Sequence, residues 1–216
     1  MTPEPGLIEA ALRSIFPGDV AVAAERIVPE KTSTLWAEER PAVAGAVPAR
    51  LDEFVAGRTA ARRVLHALGL PPQALPMGPD RAAIWPLGIA GSIAHAAGYA
   101  VAVGRRGPPI GIDLEEDAAL ALDLWPIICS QDELRRLGPD DTGRLVRHVF
   151  CAKEAVFKAQ EADQRAMFGF ETLSVTLADA GFDAQFLADA GAFRAGQIVR
   201  GRIAVADGLV LAGVVW

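Results

Sequence analysis

The sequence predicts an α+β fold, in which helices and antiparallel hairpins are mixed along the chain. Apolar residues recur at helical spacing in two stretches, 51–68 and 141–160. After Gly169 the pattern changes to the period of two that is typical of strands. Because no strict alternation of strand and helix runs through the chain, the pattern favours α+β over a sheet built from β-α-β units.

Glycine and proline residues mark where several of the predicted elements end. Gly69 and the prolines after it end the first helix, Pro126 interrupts a helical segment, and the pair Asp207-Gly208 signals a hairpin. In chain order, the predicted elements are a helix over 51–68, a Pro- and Gly-rich loop over 71–86, strand residues over 89–104, a short strand over 110–115, an interrupted helical segment over 122–137, a helix over 141–160, and strands over 173–177, 197–206 and 209–215.

Length and composition limit the class of protein. The chain has 216 residues, of which 51% are hydrophobic and 22% charged, a globular composition sufficient for one domain or two small lobes. No apolar run reaches the roughly 20 residues of a membrane helix, and the N-terminus lacks the basic start of a signal peptide. We therefore expect a cytoplasmic protein without a membrane partner. The net charge of −6 argues against nucleic acid as a partner, and Cys129 and Cys151 are expected to be free thiols.

The segment 111–115 is the strongest chemical signal. In a strand, alternate residues share a face, so Ile112 and Leu114 point to one side while Asp113 and Glu115 point to the other. Two carboxylates on one face repel each other unless water or a cation lies between them, and oxygen ligands of this kind suit Mg²⁺. An exposed strand face with ordinary acidic residues would carry the same pattern, so both interpretations stay open.

The predicted helix over 141–160 has charged residues on or beside its apolar face. Lys153 falls within the apolar stripe, Glu154 lies at its edge, and Lys158 follows Glu154 by one turn. A charged side chain inside an apolar stripe must reach solvent, form an ion pair or take part in chemistry. The alternative is a simple Glu-to-Lys pair on a half-exposed helix.

Two further groups of residues point to an anionic ligand. Ser92 and His95 lie in a stretch rich in Gly and Ala, where small residues let a ligand approach the backbone. No G-x-S-x-G elbow surrounds Ser92, which argues against a hydrolase nucleophile. Arg50, Arg58, Arg62 and Arg63 make the first helix basic, and the first three share one side of it. Arginine forks suit phosphate oxygens. A solvated helix face would show the same arginine pattern.

Taken in this order, the motifs resemble the 4'-phosphopantetheinyl transferase superfamily, in the branch with the enterobactin-type and surfactin-type enzymes. The likeness covers roughly half the chain, 50–159, and its specific part is G-I-D-x-E followed by F-x-A-K-E-A-x-x-K. It implies an enzyme of the holo-[acyl-carrier-protein] synthase type. Such an enzyme uses Mg²⁺ to transfer the 4'-phosphopantetheine group of coenzyme A to a serine of an apo acyl or peptidyl carrier protein, releasing adenosine 3',5'-bisphosphate.

The resemblance also implies a fold and a set of site residues. The family fold is a pseudo-dimer of two similar lobes, each an antiparallel sheet packed with helices, with the active site between the lobes. We place the lobes at 1–107, for coenzyme A contacts, and 108–216, for the metal and the carrier protein, and expect a monomer. The implied metal ligands are Asp113, Glu115 and Glu154. Among the implied coenzyme A contacts, Arg50 and Arg58 bind the 3'-phosphoadenosine end, and Ser92 and His95 bind the phosphates. Lys158 binds the pyrophosphate, and Lys153 either contacts the phosphates or positions Glu154. The expected catalytic residues are Glu154, Lys158 and His95.

One position departs from the family pattern. Relatives often place a lysine where this chain has Met77, and we expect Arg81 to supply that basic contact. The general base for the serine hydroxyl is expected to be Glu154, Glu133 or a metal-bound water. Two other functions stay open: a Mg²⁺-dependent phosphohydrolase that needs no carrier protein, and a non-catalytic module that binds coenzyme A or a carrier protein.

Overall fold

The computed structural model describes residues 4–29, 34–160 and 165–216, whose strands form two antiparallel sheets. The helices are α1 (Pro5–Ile15), α2 (Pro48–Ala67), α3 (Trp125–Ile128), α4 (Gln131–Leu137) and α5 (Thr142–Lys158). The strands are β1 (Ala21–Arg26), β2 (Ile89–Ala96), β3 (Tyr99–Arg106), β4 (Ile110–Glu116), β5 (Leu173–Ala178), β6 (Gly181–Phe186), β7 (Ile198–Ala206) and β8 (Leu209–Val215). Short 3-10 helices lie at Arg40–Val43, Leu122–Leu124 and Phe170–Thr172.

The smaller sheet has the strand order β1-β3-β2, and the larger has the order β4-β8-β7-β6-β5. Every neighbouring pair is antiparallel. Helix α2 packs on the smaller sheet and α5 on the larger, while β2 and β4 lie beside each other where the two sheets meet. The described part of the chain is therefore α+β, as the sequence predicts.

The two long helices and the last hairpin lie where the sequence predicts them. The helix expected over 51–68 is α2, which begins earlier because Pro48 fits the first turn of a helix. The helix expected over 141–160 is α5. Strands β7 and β8 are joined at Asp207 and Gly208, both with positive φ (52° and 78°). That is the geometry of the Asp-Gly hairpin turn.

The interruption predicted near Pro126 lies at a different residue. The break falls at Cys129, whose extended backbone separates α3 from α4. Pro126 lies in the first turn of α3, where its missing N–H costs no helical hydrogen bond. Ser130 begins α4 with a capping box: its hydroxyl accepts from the Glu133 N–H, and the Glu133 carboxylate accepts from the Ser130 N–H.

Among the described residues, one α-helix and two strands have no counterpart among the predicted elements. Helix α1 follows Met1 to Pro3, which lie outside the described residues, and buries Ile8 and Leu12. Strand β1 pairs with β3, and β6 pairs with β5 and β7. Burial alternates along β6, which is the period of two expected of a half-buried strand.

One apolar cluster joins the two sheets. It includes Ile8 of α1, Val101 of β3, Ile112 of β4 and Leu211 of β8, all of them fully buried. A second cluster packs α5 against the larger sheet.

Cys129 and Cys151 are buried free thiols. Within the described segments, no helix combines the length and apolar character needed to cross a membrane.

Candidate active site

A cavity of about 380 Å³, here called the site cavity, lies where α2, β2, β4 and α5 meet. The loop before β2 and the segment after α5 complete its walls. Its lining includes the predicted site residues Arg50, Arg58, Arg81, Ser92, His95, Asp113, Glu115, Glu154 and Lys158. Residues from both halves of the chain, far apart in sequence, therefore meet around one space.

Gly111 allows α5 to lie directly on β4. A Cβ atom at this position would be 2.0 Å from the Ala155 carbonyl oxygen and 2.8 Å from the Ala159 nitrogen, so a larger residue would displace the helix. This close approach brings Lys158 of α5 within hydrogen-bond distance of Asp113 on β4. The glycine of the G-I-D-x-E motif thus allows the close packing that places Lys158 beside the Asp113 carboxylate.

Asp113 is a buried carboxylate with one paired and one unpaired oxygen. The residue is 4% exposed, and its Oδ1 accepts from Lys158 Nζ at 2.6 Å. Its Oδ2 is buried and has no hydrogen-bond partner among the described residues. Burial alone would lower the pKa of Lys158, but the Asp113 carboxylate raises that pKa above its usual value. Lys158 is therefore a fixed cation in the cavity wall.

Glu115 and Glu154 complete the acidic part of the cavity. Arg147 donates to Glu115 Oε2 at 2.9 Å. Burial, and after it repulsion from Asp113, raises the pKa of both glutamates. The acidic residues at 113 and 115 share one face of β4, as predicted from the alternation of the strand.

The acidic residues supply oxygen donors that suit a hard cation. The unpaired, buried Oδ2 of Asp113 is the observation that best fits a bound ion. Within residues 4–29, 34–160 and 165–216, no three His, Cys, Asp or Glu side chains are already arranged as a metal site. Lys158 and Arg147 each hold one carboxylate oxygen, of Asp113 and Glu115 respectively. A cation would therefore use the remaining oxygens or displace these partners.

Arg50 and His95 bring α2 and β2 together at the cavity. Arg50 donates to His95 Nε2 at 2.9 Å and to Glu53 Oε2 at 3.2 Å. Burial lowers the pKa of His95; Glu53 opposes this shift, while Arg50 and Lys158 add to it. The ring is therefore neutral near pH 7, with Nε2 as the acceptor and the proton on Nδ1.

Arg58 is buried, and its guanidinium is fixed from two sides. Its Nε donates to the Leu75 carbonyl at 2.7 Å, and its central carbon lies 4.2 Å from the centre of the Phe54 ring. Burial lowers its pKa to about 10, so Arg58 stays protonated at neutral pH. The buried Glu39 accepts from the Leu75 N–H at 3.0 Å and so anchors the residue that holds Arg58.

The basic side predicted on α2 divides in the structure. Arg62 donates to both oxygens of Glu39, and Arg63 pairs with acidic residues of α1 and β1. Neither lines the site cavity, whereas Arg50 and Arg58 do. Helical spacing alone could not make this distinction, because the acidic partners come from other segments of the chain.

Ser92 and Gly91 have structural contacts beside the cavity. Ser92 Oγ accepts from the Ile112 N–H at 3.2 Å, which links β2 to β4. A Cβ atom on Gly91 would lie 2.3 Å from the Trp85 indole, so this ring covers the face of the glycine. The small residue that was expected to admit a ligand instead admits an aromatic ring, and Trp85 forms part of the cavity wall.

The loop before β2 contributes Met77 and Arg81 to the cavity lining. The Arg81 N–H donates to the Gly78 carbonyl at 3.0 Å. Arg81 has a φ of 67°, which is uncommon for a residue other than glycine. Met77 and Arg81, the residue expected to supply the basic contact that Met77 lacks, therefore line the same cavity.

Lys153 lies outside the site cavity, in a buried network. Its ammonium donates to the carbonyls of Ile128 and Phe170 and to the Glu133 carboxylate. Lys153 is 2% exposed, and Glu133 also accepts from two backbone N–H groups. All three ammonium hydrogens are therefore used, and these positions support neither a phosphate contact for Lys153 nor a role as base for Glu133.

Sequence reasoning also missed Arg147, which donates to Glu115 of the cavity wall, and Arg165, which lines the cavity. Arg147 lies two turns before Glu154, so helical spacing could have placed it on the same face of α5. Arg165 lines the cavity and pairs with Asp80 at 2.9 Å. Because Asp80 and Arg165 come from loops far apart in the chain, no local pattern predicts their contact.

Comparison with known proteins gives consistent matches over most of the chain. The profile described as "4'-phosphopantetheinyl transferase N-terminal domain" matches residues 38–104, and "4'-phosphopantetheinyl transferase superfamily" matches residues 109–208. The chain is 33% identical to the 4'-phosphopantetheinyl transferase Npt of Nocardia iowensis, over 95% of this chain and 99% of the relative. It is 34% identical to the 4'-phosphopantetheinyl transferase PptT of Mycobacterium tuberculosis, over 82% and 84%. It is 36% identical to enterobactin synthase component D of Escherichia coli, over 62% and 66%.

Proposed function

The chain belongs to the 4'-phosphopantetheinyl transferase superfamily and is a phosphopantetheinyl transferase, and we propose that it transfers the phosphopantetheine group of coenzyme A to a serine of an apo carrier protein. The observation that best supports this proposal is that one cavity combines fixed cations with clustered carboxylates. Arg50, Arg58 and Lys158 suit a multiply charged anion, while Asp113 and Glu154 suit a divalent cation bound beside it.

The proposed contacts with coenzyme A follow the charges of the cavity. Arg50 and Arg58 bind the 3'-phosphate, and Lys158 binds the pyrophosphate. Arg81 supplies the basic contact that Met77 does not, since a thioether has no hydrogen-bond donor. His95 donates to a phosphate through its Nδ1–H in the neutral form, and through both nitrogens only when the ring is protonated.

Ser92 remains a proposed contact with coenzyme A, whereas Lys153 does not. The Ser92 hydroxyl has its own proton to donate to a phosphate while it accepts from the Ile112 N–H. Lys153 has no hydrogen left for a ligand, because its three donors are bound in the buried network.

Asp113, Glu115 and Glu154 would hold Mg²⁺, with the unpaired Oδ2 of Asp113 as the first donor. When bound, the ion neutralises part of the negative charge on the pyrophosphate. Burial, and after it repulsion from Asp113, raises the pKa values of Glu115 and Glu154, and a cation would relieve the repulsion.

In the proposed reaction, the serine oxygen of the carrier protein attacks the phosphorus on the pantetheine side of the pyrophosphate. The bond between this phosphorus and the bridging oxygen breaks, and adenosine 3',5'-bisphosphate leaves. Glu154 accepts the serine proton as the general base. Lys158 stabilises the charge that develops on the phosphate oxygens.

We also propose that the two lobes are residues 1–107 and 108–216, related as a pseudo-dimer with the site between them. The smaller sheet with α2 precedes Gly107, and the larger sheet with α5 follows it. In each half a glycine lies where the long helix meets the sheet: Gly57 of α2 faces Ile93 of β2, and Gly111 of β4 faces α5. The two matched family profiles also separate between residues 104 and 109.

The proposed function is tested by incubating the chain with coenzyme A, Mg²⁺ and a panel of apo acyl and peptidyl carrier proteins. We expect mass spectrometry to detect the phosphopantetheine adduct on at least one carrier and none on its Ser→Ala variant. Release of adenosine 3',5'-bisphosphate without any carrier would instead indicate a phosphohydrolase. Binding of coenzyme A with no modified carrier and no release would indicate a binding module.

A further inference from the structure

A salt bridge between Asp80 and Arg165 joins two distant segments at the site cavity. Arg165 Nη1 lies 2.9 Å from Asp80 Oδ2, and the pair connects the loop before β2 with the segment after α5. Both residues line the site cavity, and both also line a neighbouring cavity of about 460 Å³. The pair therefore lies on the boundary between the two spaces.

The surrounding charges make Asp80 unfavourable for an anionic ligand. Arg50, Arg58 and Arg81 line the site cavity, and a carboxylate among these cations weakens their attraction for phosphates. Arg165 neutralises this carboxylate as long as the pair is closed. The two side chains remain 16% and 32% exposed, and ion pairs with this degree of exposure stabilise folded proteins only weakly. The pair can therefore open at little cost.

Arg165 has donors left for a ligand. Its Nη1 holds Asp80, whereas its Nε is buried and has no hydrogen-bond partner within the described part of the chain. A guanidinium presents five N–H donors in a planar fork that matches phosphate oxygens. A phosphate entering the cavity offers more charge and more acceptors than the Asp80 carboxylate does.

We propose that Arg165 is a coenzyme A-binding residue, and that Asp80 holds it until the phosphates of the substrate replace the carboxylate. This inference rests on the proposed function, because it takes coenzyme A as the ligand of the site cavity. Asp80 then acts against substrate binding, and Arg165 acts in favour of it. The two partners of one salt bridge have opposite effects on affinity, which a purely structural pair would not produce.

The test measures the affinity of the full chain for coenzyme A by calorimetry at several salt concentrations. Asp80→Asn removes the charge but keeps Oδ1, which accepts from the Ala82 N–H at 3.1 Å, so the loop is preserved. We expect Asp80→Asn to bind coenzyme A about two- to fivefold more tightly than the wild type. Arg165→Ala should bind it about ten- to a hundredfold more weakly, and the affinity of Arg165→Lys should lie between those of Arg165→Ala and the wild type.

Arg200→Ala is the matched control, because it removes an arginine that is 81% exposed and paired with Asp183 on the larger sheet. It should bind coenzyme A as the wild type does. Thermal unfolding is recorded in parallel, and Asp80→Asn should unfold at the same or a lower temperature while binding more tightly.

Two results would overturn the inference and leave the proposed function intact. One is equal weakening of binding by Asp80→Asn and Arg165→Ala, and the other is wild-type affinity in Arg165→Ala. A wild-type chain that does not bind coenzyme A would overturn the proposed function and this inference with it.

Discussion

Asp113 is the side chain on which the proposed chemistry depends most directly. It is buried, it holds Lys158, and its Oδ2 has no partner among the described residues. Asp113→Asn keeps the shape and removes the charge, so we expect transfer to slow by roughly a hundredfold or more, the scale of losing one strong electrostatic contact in a transition state. The measurement is the initial rate of carrier modification across a series of Mg²⁺ concentrations.

A matched control for this change is Asp183→Asn, which alters an aspartate on β6 with a side chain that is 52% exposed. We expect it to retain the wild-type rate. An Asp113→Asn enzyme with undiminished activity, or a wild-type enzyme fully active in EDTA, would rule out Asp113 as a ligand of an essential metal.

Lys153 is expected to matter for stability rather than for binding. Lys153→Met keeps an unbranched apolar side chain but leaves the buried Glu133 carboxylate without its cation. Removing one partner of a buried pair costs about 3–5 kcal/mol of the free energy of unfolding. Denaturant unfolding should show this loss, while the affinity of the folded variant for coenzyme A should remain near that of the wild type.

The double variant Lys153→Met/Glu133→Gln separates charge from shape, since it leaves no lone buried charge. It should recover part of the stability lost by Lys153→Met. A stable Lys153→Met variant with much weaker coenzyme A binding would restore the role that the family resemblance implies for Lys153.

Lys153 and Lys158 also show what a sequence can predict about a site. Both were expected to contact coenzyme A, and both lie on α5. Lys158 follows Glu154 by one helical turn, and both side chains line the site cavity. The position of Lys153 in the apolar stripe indicated burial, but its partner Glu133 comes from a separate helix. Residues on one element were therefore predictable together, whereas pairs made by tertiary folding were not.

At the scale of elements, the contact between β4 and α5 is the most sensitive point of the site. A Cβ atom on Gly111 would meet backbone atoms of α5, which cannot rotate away as a side chain can. We expect Gly111→Ala to lower the free energy of unfolding by about 1–3 kcal/mol. It should also slow transfer, because Glu154 and Lys158 would move away from Asp113.

Gly18→Ala is the control, since no atom of the described residues lies within 4 Å of a Cβ atom at that position. It should change neither the denaturant midpoint nor the transfer rate. Wild-type stability and rate in Gly111→Ala would show that α5 adjusts without disturbing the site.

The elements that the sequence predicted are those whose pattern is long or strongly marked. The helices α2 and α5 carry many periodic apolar residues, and the last hairpin has its Asp-Gly turn. Strand β1 has the sequence AVAAER, in which alanine gives little preference for a strand. It is extended because it pairs with β3 along its whole length. Its structure is thus set by a distant strand rather than by its own residues.

Glu9 makes the packing of α1 dependent on pH. Its carboxylate accepts from the Ala24 N–H and pairs with Arg63 of α2 and Arg13. Burial raises the pKa of Glu9, but the Ala24 hydrogen bond and the arginines outweigh it and lower the pKa below the ordinary 4.5. A lowered folded-state pKa stabilises the protein above pH 4.5, and this contribution is lost as the pH falls through the folded-state value.

Glu9→Gln keeps an oxygen for the Ala24 N–H and removes the charge. We expect it to be less stable than the wild type by about 1 kcal/mol at pH 7. The difference should shrink when unfolding is measured below pH 4.5. A difference that stays constant across this range would mean that the charge of Glu9 does not contribute.

At the scale of the whole molecule, the two sheets share one core while the site cavity lies between the helices that cover them. The shared cluster contains Val101 of the smaller sheet, Ile112 and Leu211 of the larger sheet, and Ile8 of α1. Helix α1 contacts β1 of the smaller sheet and also β7 and β8 of the larger. Separating the sheets would expose this cluster, so the two halves should fold and unfold together.

A ligand bound in the site cavity should therefore stabilise the whole chain in one step. Coenzyme A at about 100 times its dissociation constant adds about 2.7 kcal/mol to the free energy of unfolding, which raises the Tm of a chain of this size by roughly 5–11 °C. Calorimetry should record one transition with and without the ligand, and Arg200→Ala should behave as the wild type does. At the same ligand concentration the shift should be much smaller for Arg58→Ala, which loses a buried cation of the cavity. Two transitions, of which coenzyme A moves only one, would mean that the halves unfold independently and that the ligand is held by one of them alone.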